Sequence, residues 1–242
     1  MTDATTQTHW RLDRPAEGVY ASELAARPDR PVRTFLPTDY QPRYPYPLVV
    51  TFHAAGGTEE SGSKLLPRVS RRNYIGLTLR GPHAAGRGFG WSDASTDDIT
   101  DYLLAAVEQT RRTYHVHSER VFLLGVGDGA TAAYRAGLQL ADRVAGVVAL
   151  NGAMPKPAGK PLFDLRTVRG LPVFIGHGVA NAVVPYSTAE RDFRLLYAAG
   201  ADVRLTGYPT TQKLHAHMLR DVNRWVMGGV TAGRGLLLRA EA

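Results

Sequence analysis

The chain has 242 residues, 44% hydrophobic and 21% charged, which is the length and balance of one globular α/β unit. It has no Cys, which excludes disulfides, thiolate metal sites and a Cys nucleophile, and no apolar run reaches a membrane span. The net charge of +7 rests mostly on Arg scattered in ones and twos, so it reads as a solvated basic surface and gives no specific nucleic-acid site. The first residues, MTDATTQTHW, lack the basic-then-apolar pattern of an export signal. With the absence of Cys, this gives the expectation of a cytoplasmic protein.

Residues 1–20 are expected to be irregular. Runs at 31–36, 47–52 (PLVVTF) and 74–79 (YIGLTL) predict three strands. Thr58-Glu59-Glu60 looks like a helix start. Ile99, Leu103, Val107 and Tyr114 recur at helical spacing after Thr96-Asp97-Asp98, predicting a helix over 97–114. A strand at 120–124 (RVFLL) and an Ala-rich helix at 129–140 follow. Strands at 144–150 and 171–175, a helix at 188–199, a strand at 203–206 and a helix at 218–227 complete the series. The stretch 151–170 is loop-rich and suits a pocket rim, and 228–242 reads as a tail. Nearly continuous apolar strands separated by helices describe one α/β domain over 1–242, with a mostly parallel sheet covered on both faces.

Four segments resemble the α/β-hydrolase superfamily, in the carboxylesterase/phospholipase or poly(hydroxyalkanoate)-depolymerase-like branch. RVFLLGVGDGATAAYRAGL is similar to the strand–turn–helix nucleophile elbow. VVTFHAAGG resembles the loop that supplies an oxyanion-hole amide. LPVFIGHGVANAVVP resembles the loop that carries the acid, and YPTTQKL the loop that carries the triad His. The four stand in the family's chain order, each after a predicted strand.

Each catalytic position departs from the family pattern. The elbow G-x-S-x-G reads Gly125-Val126-Gly127-Asp128-Gly129, so Gly127 stands where the resemblance implies Ser. Asn181 stands in the place of the acid, and Gln212 in the place of the His. The reaction needs a hydroxyl to attack, a base to take its proton and a carboxylate to orient that base. Gly127 has no side chain, and the Gln212 amide does not titrate. The resemblance implies that the oxyanion donors are the amides of Ala55 and Asp128, and these depend on no triad side chain.

Other residues compete for a role. Asp128 is an acid beside the elbow, although a helix N-terminus favours an acid for electrostatic reasons alone. His53 and His177 end strands on the active-site side, and His215 follows the former His loop. For each His the structural alternative is a hydrogen bond to its own loop. His53, Ala54, Phe89 and Trp91 are candidates for a pocket lining. No metal site and no cofactor is implied: neither a GxGxxG nor a GxxxxGK[ST] motif occurs.

The reading is therefore an esterase-like protein that is catalytically inactive and keeps a pocket for a small acyl or ester-like ligand or for a partner. The partners weighed are a second copy of the chain, as a homodimer, and an active relative. The alternatives are an active carboxylic-ester hydrolase that uses Asp128 with a nearby His, and a structural partner of an active relative.

Overall fold

Strands that are apolar at nearly every position need cover on both faces, because their alternate side chains point opposite ways. The computed structural model describes residues 17–92, 94–156 and 165–231. Strands β1 (Gly18–Leu24), β2 (Arg27–Leu36), β3 (Tyr46–Phe52), β4 (Ile75–Leu79), β7 (Val116–Val126), β8 (Gly146–Leu150), β9 (Pro172–Gly178) and β10 (Asp202–Tyr208) form one eight-stranded sheet. Its order is β1-β2-β4-β3-β7-β8-β9-β10. The pairs β1–β2 and β2–β4 are antiparallel, and every pair from β4 to β10 is parallel. A separate hairpin joins β5 (His83–Ala85) to β6 (Gly88–Gly90).

The helices are α1 (Glu59–Val69), α2 (Thr96–Thr113), α3 (Asp128–Gln139), α4 (Leu165–Val168), α5 (Tyr186–Ala198) and α6 (Ala216–Thr231). Leu48, Val50 and Phe52 of β3 pack with α2, α3 and α5, whereas Val49 packs with α1 and α6. The same alternation along β7 sends Leu123 to one face and Phe122 and Leu124 to the other. Two hydrophobic layers thus sandwich the sheet, and the carboxyl ends of β3, β7, β8, β9 and β10 lie along one edge.

Local capping sets the helix starts. Thr58 and Ser61 form a reciprocal capping box for α1, and the Ser95 hydroxyl accepts from the Asp98 amide at the start of α2.

Three differences from the sequence expectations have physical reasons. The region expected to be irregular contains the start of β1 at Gly18, an edge strand whose side chains are mostly exposed and so carry no apolar alternation. The hairpin β5–β6 has three-residue strands, shorter than any periodic signal, and is held by a bridge from Phe89 to Gly57. The final helix runs on through Gly228 and Gly229 to Thr231. Residues 232–242, including Leu236 to Leu238, lie outside the described residues, as do 157–164 of the loop-rich stretch.

Candidate functional site

Four loops of interest leave the carboxyl edge of the sheet. They follow β3, β7, β9 and β10, and they carry His53 to Gly57, Gly127, Asn181 and Gln212 respectively.

Gly127 turns β7 into α3 with φ +56° and ψ −119°. Backbone of that kind strains any residue with a Cβ, and Gly adopts it freely. The turn is held by the Gly127 amide donating to the Leu150 carbonyl at 2.8 Å, and by its carbonyl accepting from the Ala130 amide at 3.0 Å. Space for a side chain remains: a Cβ would meet Ala54 Cβ at 3.4 Å, an ordinary contact. Gly129, next along, admits no such addition. A Cβ there would stand 2.2 Å from the Phe52 carbonyl oxygen, so the helix start presses directly on the end of β3.

Asp128 begins α3, where N–H groups lack intrahelical partners and the dipole favours a carboxylate. Its side chain points to the segment after β6. Oδ2 accepts from the Trp91 amide at 2.6 Å and Oδ1 from the Ser92 hydroxyl at 3.0 Å. Trp91 is 1% exposed. Its indole N–H donates to the His53 carbonyl at 3.1 Å, and its ring packs edge-on against Phe52. Phe89 is half-buried, and the Arg80 guanidinium lies 4.8 Å over its ring. Arg80 in turn makes a bidentate pair with Glu59 at 2.7 and 2.8 Å. Burial is the largest influence on the Glu59 carboxyl and pushes it up, but the hydrogen bonds from Arg80 and from its own backbone N–H, together with the charges of Arg80 and Arg33, hold it below its ordinary value.

His53 is buried, and both ring nitrogens are engaged. Nε2 accepts from the Gly81 amide at 3.0 Å, so the proton sits on Nδ1 and is donated to the Ala54 carbonyl at 2.8 Å. Burial holds its pKa below the ordinary value. Ala54 is half-buried, and Ala55, at the tip of the same loop, is exposed.

The position that the resemblance assigns to the acid is also occupied by hydrogen bonding. Asn181 is buried, and its Oδ1 accepts from the amides of Val183 at 3.0 Å and Val184 at 3.1 Å. Those bonds leave its Nδ2 facing His177 Nε2 at 3.4 Å. The closer contact decides the tautomer: His177 Nε2 lies 2.8 Å from the Val184 carbonyl and donates to it. His177 Nδ1 is then an unprotonated buried nitrogen with no hydrogen-bond partner among the described residues. Burial lowers this pKa too.

Gln212 is exposed, and its backbone is the part that is fixed. Its carbonyl accepts from Asn151 Nδ2 at 3.1 Å. Asn151, the first residue after β8, is 3% exposed with φ +53°. Its Oδ1 also accepts from the Gly178 amide at 2.8 Å, so one side chain ties the ends of β8 and β9 to the loop after β10. The loops after β9 and β10 are joined again by Ala180 N–H donating to the Thr210 carbonyl at 3.1 Å. His215 stands just before α6. Its Nδ1 accepts from the His217 amide at 3.2 Å, and its ring stacks on Tyr208.

Two further residues shape the region and were not anticipated from the sequence. Asn151 had one usable signal, an Asn-Gly pair at a strand end, since Asn tolerates the left-handed conformation. Asp192, buried on α5, accepts from the Met154 amide at 2.7 Å and so holds the segment after β8. It had no signal of its own. Among the described residues no three His, Asp or Glu side chains are grouped to hold a metal ion. No described helix is long and apolar enough to cross a membrane.

Residues 90–227 match the family model described as phospholipase/carboxylesterase. The chain is 23% identical over 195 residues to a bifunctional acetylxylan esterase/xylanase of Neocallimastix patriciarum, covering 77% of this chain and 27% of that protein. It is 33% identical over 100 residues to acyl-protein thioesterase 1 of Mycosarcoma maydis, covering 40% of this chain and 42% of that one. The matches therefore span less than half the length of either curated relative. A carboxylesterase structure from Bacillus cereus superposes with a TM-score of 0.64 at 18% identity, covering 93% of this chain and 100% of that one. At that identity the superposition establishes the shared α/β-hydrolase fold.

Proposed function

This chain belongs to the phospholipase/carboxylesterase family of α/β-hydrolases, and from that premise we propose that it is a non-catalytic member that binds a small acyl or ester-like ligand at the emptied centre. One observation carries the reading. The turn at residue 127 keeps its strained geometry, φ +56° and ψ −119°, with no side chain on it. A hydroxyl nucleophile needs an atom there, and none exists. The neighbouring positions support the same reading. Asn181 is an amide committed to two backbone N–H groups, and Gln212 offers no titratable nitrogen.

What remains is binding capacity. The Asp128 amide at the start of α3 and the Ala55 amide in the loop after β3 are donors that no triad residue has to supply. They suit a carbonyl or carboxylate oxygen. The alternative, a working esterase built on Asp128 with a His, has to overcome existing commitments. The Asp128 carboxylate is bound to Trp91 and Ser92, and both ring nitrogens of His53 face backbone groups.

Hydrolysis of p-nitrophenyl butyrate between pH 5 and 9 tests the reading. The expected result is no turnover above the heat-denatured protein, together with a saturable thermal shift from butyrate. Turnover abolished by Asp128→Asn would refute it in favour of the Asp128 enzyme.

A further inference from the structure

At the opposite end of the sheet α6 leaves a cavity of about 310 Å³, within the range that holds small ligands. Its lining includes Phe122, Pro172, Arg204, Asp221, Trp225 and Gly228. Pro172 opens β9 and Gly178 closes it, so the Pro172 wall of the cavity lies about 20 Å along the strand from the candidate site.

The floor is aromatic. The Trp225 ring centroid is 6.0 Å from both Phe122 and Phe174. It reaches the start of β8 because residue 146 is Gly: a Cβ there would come within 2.6 Å of the indole.

The charge is positive. One Asp221 oxygen accepts the Tyr208 hydroxyl at 2.8 Å, and the other pairs with Arg224 at 2.9 Å, so this acid is already matched. Among the described residues Arg204 enters no salt bridge, and its guanidinium lies 6.0 Å over the Phe174 ring. The mouth is open at Gly228, where a Cβ would meet no atom within 4 Å.

We propose that this cavity is a second ligand site, for a planar aromatic carboxylate whose ring lies against Trp225 and whose carboxylate pairs with Arg204. A guanidinium matches a carboxylate in a two-point hydrogen bond, and an aromatic floor selects a flat partner. The site is independent of the function proposed for the other end of the sheet.

Calorimetric titration of the full chain with 1-naphthoate tests it. Saturable binding is expected, weakened about tenfold or more in Arg204→Gln. Gly228→Leu, which puts a side chain into the open mouth without crowding the helix, is expected to abolish binding while the thermal midpoint is kept. The neutral analogue 1-naphthalenemethanol is expected to bind at least tenfold more weakly. Absence of saturable binding up to the millimolar range overturns the proposal. So does binding that survives both substitutions, which places the ligand elsewhere, and so does equal affinity for the neutral analogue.

Discussion

At position 127 the chain holds a backbone conformation that a residue with a side chain adopts only under strain, although Gly itself has no chemical use for it. Placing Ser there tests whether the conformation is intrinsic to the fold. Gly127→Ser is expected to lose about 1–3 kcal/mol of stability, read from urea denaturation. The loss comes from backbone strain, because the added atoms have room beside Ala54. A Ser variant as stable as the parent would show that the turn relaxes.

His53 and His177 give a second expectation at this scale. Burial lowers both pKa values from 6.5, so below that pH the unfolded chain binds more protons than the folded one. Stability from these residues is therefore full above pH 6.5 and lost as the pH falls towards their folded values. The urea midpoint is expected to drop between pH 7 and 5, and to drop less in His177→Gln; equal slopes in the two proteins would contradict this. These residues also mark how far single positions can be read. Positions 127, 181 and 212 were singled out because a motif fixes their spacing. The inward turn of Trp91 and the double engagement of His53 were not, because both depend on groups far along the chain, the Asp128 carboxylate and the Gly81 amide.

Among the elements, the buried strands were legible and the exposed edge was not. β3, β4, β8 and β9 announce themselves by apolar continuity, which is what two covered faces require. β1 pairs through its backbone while exposing its side chains, so its composition carries little information. The contact between α3 and the end of β3 is a property of elements too. Gly129→Ala would force a methyl group against the Phe52 and His53 carbonyls, which belong to rigid backbone. It is expected to cost at least about 2 kcal/mol, measured by denaturation, with α3 displaced from the sheet. Asn151→Gly is a cleaner probe of the loops, because Gly keeps the left-handed backbone and removes only the side-chain bonds. Amide exchange at 178–181 and 210–213 is expected to quicken, with about 1–3 kcal/mol of stability lost for the Gly178 N–H left unpaired. Unchanged exchange would show that the backbone bonds Val179–Tyr208 and Ala180–Thr210 suffice.

For the whole molecule, the question under the proposed reading is whether triad side chains are all that the fold lacks. Gly127→Ser, Asn181→Asp and Gln212→His together are expected to restore measurable ester hydrolysis, and each single restoration is expected to give none, since triad members act as a unit. A folded but inactive triple variant would show that Gln212, exposed on its loop, is too far out for a His there to reach the turn. The order of the four motifs and the mostly parallel character of the sheet could be read from the chain. The bonds that tie the loops after β8, β9 and β10 together are long-range, and spacing does not encode them.

Asn151 gives those bonds a wider meaning. It ties two strand ends to the loop after β10, yet it stands at none of the three positions that the motifs single out. A keystone seated outside the reacting atoms is indifferent to whether a reaction takes place. Under the proposed reading, positions 127, 181 and 212 are free to be rewritten while the frame around them stays in alignment.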